Sequence, residues 1–129
     1  MEVNNLTDFE IDTNLLRKTV NTILKKEKEE EKEISIAIVG AKKMKELNRI
    51  YRGKDYVTDV LSFFYNEKYF LGEIVICPEK IKNGEDFTKE ICRVIIHGTL
   101  HLLGYDHPND SDEKEMEEKE ENYLKAILK

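Results

Sequence analysis

Apolar positions recur along this chain in two rhythms. Leu15, Leu16, Thr19, Val20 and Ile23 fall three and four apart, which predicts an amphipathic helix capped by Asp12 or Thr13. The Lys/Glu-rich run from Lys25 to Glu33 reads as its solvated end. Ile34-Ser35-Ile36-Ala37-Ile38-Val39 alternates and is β-branched, so a strand closed by Gly40 is expected. Met44, Leu47 and Tyr51 make one face of a second helix that stops at Gly53. Two further strands follow, Val60 to Tyr65 and Ile74 to Cys77, the second ended by Pro78 and joined to the first through a hairpin connection containing Gly72. From Glu85 to Leu103 apolar side chains surround most of a third helix, the pattern of one buried on several sides. A fourth, Ser111 to Leu128, turns Met116, Tyr123, Leu124 and Ile127 inward.

With a short strand ahead of the first helix, this order predicts an α+β fold, a small mixed sheet of about four strands packed with helices. No repeat and no Pro- or Ser-rich linker divides the 129 residues, so one domain over 1–129 is expected. That length buries a core without metal or disulfide staples, so a bound metal would serve chemistry more than folding. The polar amino terminus lacks the features of a signal peptide, and no apolar run approaches a bilayer's thickness. Cys77 and Cys92 lack CxxC spacing and read as reduced thiols, Cys77 as a buried apolar one. A cytoplasmic protein without a membrane partner is the expectation.

The net charge of −6 counts against a nucleic-acid partner, but its distribution changes that reading. Lys42, Lys43, Lys45, Arg49, Arg52 and Lys54 stand against the single acid Glu46, while the acids gather between Asp110 and Glu121. Charge alone makes both runs solvated helix faces.

Candidate chemistry sits in one short window. All three histidines fall in His97-Gly98-Thr99-Leu100-His101-Leu102-Leu103-Gly104-Tyr105-Asp106-His107. His97 and His101 are four apart, so both imidazoles leave one face of the buried helix about 6 Å apart along its axis. Gly104 accepts the left-handed geometry that lets the following turn bring His107 back. Three imidazoles with a fourth position open is the arrangement of catalytic zinc. The competing readings are three satisfied core histidines and a purely structural zinc, the latter disfavoured because no fourth ligand lies near. The spacing matches H-E-x-x-H-x-x-G-x-x-H of metzincin peptidases, but Gly98 occupies the position of the catalytic glutamate and cannot move protons.

This window resembles the H-G-x-L-H-L-x-G-Y-D-H signature of the YbeY family of metal-dependent endoribonucleases. Leu47-Asn48-Arg49-Ile50-Tyr51-Arg52, Thr58-Asp59-Val60-Leu61-Ser62-Phe63 and Leu71-Gly72-Glu73-Ile74-Val75-Ile76-Cys77 resemble three further family blocks, and Met116, Glu117 and Glu121 fit its acidic last helix. The chain departs where the family commonly has proline, at Val57 and Phe64, which touches loop rigidity and no acid, base or ligand. The resemblance implies a cytoplasmic enzyme that cuts single-stranded RNA in ribosomal RNA maturation and ribosome quality control. Its partners would be ribosomal RNA and ribosomal particles, with no DNA expected. It further implies one divalent ion per chain, zinc or another, on His97, His101 and His107, and a functionally important arginine at Arg52. By itself Arg52 reads as a surface arginine on a Lys-rich helix, although its planar fork of donors matches phosphate oxygens. Phe63 and Phe64 offer faces for bases, but aromatic residues in a strand more often belong to a core. Asp106 either orients a histidine ring or caps a turn. Two other classes stay open: a zinc-stabilised ribosome or RNA-binding module without catalysis, and a metallopeptidase, disfavoured by Gly98.

Overall fold

The computed structural model describes residues 1–65, 67–81, 86–105 and 110–128. Strand β1 (Val3–Asn5) leads into helix α1 (Thr13–Lys26), strand β2 (Glu33–Ile38) and helix α2 (Ala41–Arg52). Strands β3 (Val60–Phe64) and β4 (Phe70–Ile76) precede helices α3 (Phe87–Leu102) and α4 (Asp110–Ile127). The expected caps are in place: the Asp12 carboxylate accepts from the Leu15 N–H at 3.1 Å, and Gly53 ends α2 with φ 68°.

The four strands form one mixed sheet in the order β1-β2-β4-β3, with β3 antiparallel at one edge. This is the α+β arrangement expected from the sequence. Alternation along the strands sorts the core. Ile34, Ile36, Ile38, Ile74 and Ile76 turn to the face that carries α1 and α3, where Leu16, Val20, Ile91 and Ile95 meet them. Leu61, Val75 and Cys77 turn the other way, against Met44 of α2. Helix α4 packs its Met116, Tyr123, Leu124 and Ile127 onto Cys92, Ile96 and Leu100 of α3 and Ile23 of α1. With apolar partners on three sides, α3 is the buried helix its composition predicts.

Two expectations are corrected by the structure. Tyr51 lies exposed, and Asn48 takes the inward place beside Met44, because its amide donates to the Tyr56 carbonyl at 2.9 Å and so satisfies a buried polar group. Gly72 belongs to no loop: it is inside β4, opposite Phe64, and a Cβ there would come within 2.1 Å of the Phe63 carbonyl oxygen. Glycine thus lets the strand begin at Phe70, ahead of the Ile74 start that the apolar pattern indicates. No helix among the described residues is long and apolar enough to cross a membrane.

Candidate active site

Helix α3 lies close against the sheet at Gly98. A Cβ at this position would stand 3.1 Å from Ile74 Cγ2 and 3.2 Å from Ser62 Oγ. The residue that removes the peptidase glutamate therefore has a packing cause, since a carboxylate side chain has no room between helix and sheet. The close approach sets His97 and His101 beside the edge strand β3, and both are half-buried.

The two imidazoles converge. Their Nε2 atoms are 3.0 Å apart and their rings meet edge to face at 4.5 Å. Nδ1 of His97 lies 2.5 Å from Glu120 Oε1 on α4. Glu120 is only 12% exposed, whereas Glu113, Glu115, Glu117 and Glu118 of the same helix are exposed. A carboxylate at Nδ1 and an imidazole at Nε2 fix the orientation of the His97 ring. Next to it an ion pair of Arg93 with Glu121 also joins α3 to α4 and keeps the Glu121 carboxyl below the usual carboxylate range.

Arg52 comes from the opposite face of the sheet. As the last residue of α2 it reaches the outer edge of β3, where its Nη2 donates to the Ser62 carbonyl at 2.7 Å. Its guanidinium carbon stands 5.1 Å from the centre of the Phe63 ring, against which Tyr51 also packs edge-on at 5.2 Å. Arg52, Ser62, Phe64, His97, His101 and Leu102 line one cleft of ≈ 380 Å³. Two histidines and an arginine that are remote in the chain thus share one wall of solvent-accessible space.

His107 and Asp106 lie outside the described residues. The turn that leads to them is anchored at its start. Gly104 has φ 98°, the left-handed geometry expected of it, and the Tyr105 hydroxyl donates to Glu27 Oε1 at 2.5 Å. The Tyr123 hydroxyl donates to the other carboxylate oxygen at 2.5 Å, and Lys119 Nζ stands 3.4 Å from it. Burial raises the Glu27 carboxyl, but these donors outweigh it and hold the group below its ordinary value.

Among the described residues no group of three His, Cys, Asp or Glu side chains gathers in metal-binding geometry. The paired imidazoles nevertheless suit a metal. Nitrogens ~2.0–2.1 Å from a tetrahedral ion lie about 3.3 Å from each other, close to the spacing here. The carboxylate behind His97 is also the support that metal-bound imidazoles commonly have. The donor chemistry fits zinc or a similar divalent ion.

Sequence reading missed Glu120 and the Ser62 carbonyl. Glu120 had a signal: it falls four after Met116 and three and four before Tyr123 and Leu124, on the inward stripe of α4. A main-chain carbonyl has none.

Comparison with known proteins extends the picture to nearly the whole chain. A family model described as Endoribonuclease YbeY matches residues 2–128. The Endoribonuclease YbeY of Thermodesulfovibrio yellowstonii is 47% identical over 105 residues, covering 73% of this chain and 66% of that protein. That of Staphylococcus carnosus is 42% identical over 112 residues, covering 74% of this chain and 73% of its own. Among solved structures, the solution structure of TM1509 from Thermotoga maritima superposes with a TM-score of 0.67 at 34% identity, over 98% of this chain and 87% of that one.

Proposed function

The chain belongs to the endoribonuclease YbeY family and is an endoribonuclease that processes ribosomal RNA; from that premise we propose that it cuts single-stranded RNA at the cleft between α3 and β3. The observation that supports this best is the cleft itself, where the paired imidazoles of His97 and His101 face the same space as Arg52. His97, His101 and His107 would hold one divalent ion, zinc by the chemistry of the donors. When bound, such an ion supplies Lewis-acid polarisation of a phosphoryl oxygen.

The chain's own groups do the rest. Glu120 holds the His97 ring in one orientation. The Ser62 carbonyl and the Phe63 ring fix the guanidinium of Arg52, leaving further N–H donors for the phosphoryl oxygens as charge develops on them. The cations of α2, Lys42, Lys43, Lys45 and Arg49, extend the attraction for a phosphate backbone beyond the cleft. In the cell the enzyme works in the cytoplasm on ribosomal particles, in maturation and quality control, as one domain.

The test is to strip the protein with a chelator and follow cleavage of single-stranded RNA before and after a divalent ion is restored. Cleavage should vanish and return while far-UV circular dichroism stays constant, because the core is complete without the ion. Retarded but uncut RNA would show a binding module instead, and cleavage indifferent to chelation would remove the metal from the mechanism.

A further inference from the structure

Alternation along β3 gives its outer residues different fates. Val60 and Ser62 turn to the α3 face, Val60 into the core and Ser62 against Gly98, while Leu61 and Phe63 turn to the α2 face. Phe64 follows Val60 and Ser62 on the α3 face, at the level of Leu102, the last residue of α3. It lines the cleft and is 67% exposed. Phe63 is occupied by Arg52 and Tyr51, and Tyr65 packs edge-on against Phe70 at 5.2 Å. Among the described residues no ring and no cation lies over Phe64. Unlike the exposed tyrosines, phenylalanine has no polar tip that water would satisfy, so an uncovered phenyl at this place has an unmet apolar face. It also stands two residues, ~7 Å along the strand, from the Ser62 carbonyl that anchors Arg52.

We propose that Phe64 is a base-stacking platform: its ring takes the face of one unpaired nucleobase of the RNA strand whose phosphate lies at Arg52 and the histidines. This rests on the endoribonuclease reading of the same cleft and adds a reason for single-strand preference. Bases in a duplex are already stacked on both sides and present no face to a side chain, whereas an unpaired base stacks on an aromatic ring irrespective of its identity. The neighbouring guanidinium and the cationic α2 favour a strand with a phosphate backbone over an apolar protein segment as the occupant.

The experiment uses the full chain with Phe64→Ala and Phe64→Trp, and short single-stranded RNAs carrying 2-aminopurine at successive positions. Wild-type protein, stripped of metal so that the RNA stays whole, should quench the probe at one position, Phe64→Ala should not, and Phe64→Trp should restore the quench. With metal, Phe64→Ala should raise KM for single-stranded RNA about fivefold to twentyfold at unchanged kcat. Thermal unfolding should be unaltered, since the ring is exposed. Unchanged KM and quench in Phe64→Ala would overturn the proposal and leave the ring to a protein contact, and a loss confined to kcat would overturn it too. If wild-type protein fails to cut RNA but still quenches through Phe64, the cleavage reading falls and the stacking stands. Absence of both quench and binding in wild-type protein removes the stacking as well.

Discussion

Two polar clusters flank the end of α3, and they differ in which kinds of group meet. Around Glu27, both carboxylate oxygens receive tyrosine hydroxyls, from Tyr105 and Tyr123, and Lys119 adds its ammonium. Lys119 also lies over the rings of Tyr105 and Tyr123, at 5.0 and 6.0 Å. This cluster is closed: acids, donors and cation are matched within the chain. Across the helix, the cleft holds a guanidinium that meets main-chain carbonyls and a ring, with no carboxylate paired to it among the described residues, and two imidazole nitrogens turned towards each other. The closed cluster ties α1, α4 and the turn after α3 together, whereas the cleft brings a guanidinium and two imidazoles from distant elements to one accessible space. The contrast lies in how groups are matched and not in how many charges there are, since charge count would have ranked the acidic run of α4 first.

The sharpest way to test this division is His101→Ala. Taking one imidazole from the cleft should abolish stoichiometric binding of the divalent ion, and single-turnover RNA cleavage should fall by roughly a hundredfold or more. Elemental analysis beside the cleavage assay checks it. Full metal retention would mean that the pair is not a ligand set.

Arg52→Ala should come next, losing on the order of 2–4 kcal/mol of transition-state stabilisation while metal content stays constant. Arg52→Lys should recover little of it, because one ammonium cannot both hold the Ser62 carbonyl and present a fork to phosphate. Wild-type rates in Arg52→Ala would place the chemistry elsewhere.

The closed cluster should answer in stability instead of rate. Tyr123→Phe or Glu27→Gln should cost about 1–3 kcal/mol in denaturant unfolding, since a partly buried acceptor or donor loses its partner. The sign of the pH effect follows from the lowered carboxyl. Its folded state prefers the ionised form, so the contribution is fully present above the ordinary value of 4.5 and is lost as pH falls through the folded value. Glu27→Gln should therefore flatten the acid side of the stability curve below about pH 4.5. A variant as acid-sensitive as the wild type would deny the cluster its role.

The smallest effect should come from Lys42→Gln and Lys43→Gln, both remote from the cleft wall. Each should shallow the slope of log affinity against log salt by about 0.7 for every RNA phosphate it no longer neutralises, and leave the rate at saturating RNA unchanged. A change in saturated rate would move these lysines into the site.

Residue order alone determined the inward faces of α1, β2 and α4, because helical and extended chains have fixed periods of burial: Leu16, Val20 and Ile23 in α1, the isoleucines of β2, and Met116, Tyr123, Leu124 and Ile127 in α4 all lie where their spacing put them. It also singled out His97 and His101, whose four-residue spacing is a local property of one helix. Only the tertiary structure decided which groups meet across elements. Glu120 reaches His97 because α4 packs on α3, and Arg52 reaches the cleft because β3 is the sheet's edge and its outer carbonyl is available. It also decided that Phe63 is covered and Phe64 is not, two adjacent identical residues that no composition distinguishes. A strand sends neighbours to opposite faces, and only the packed helices determine which face ends in solvent.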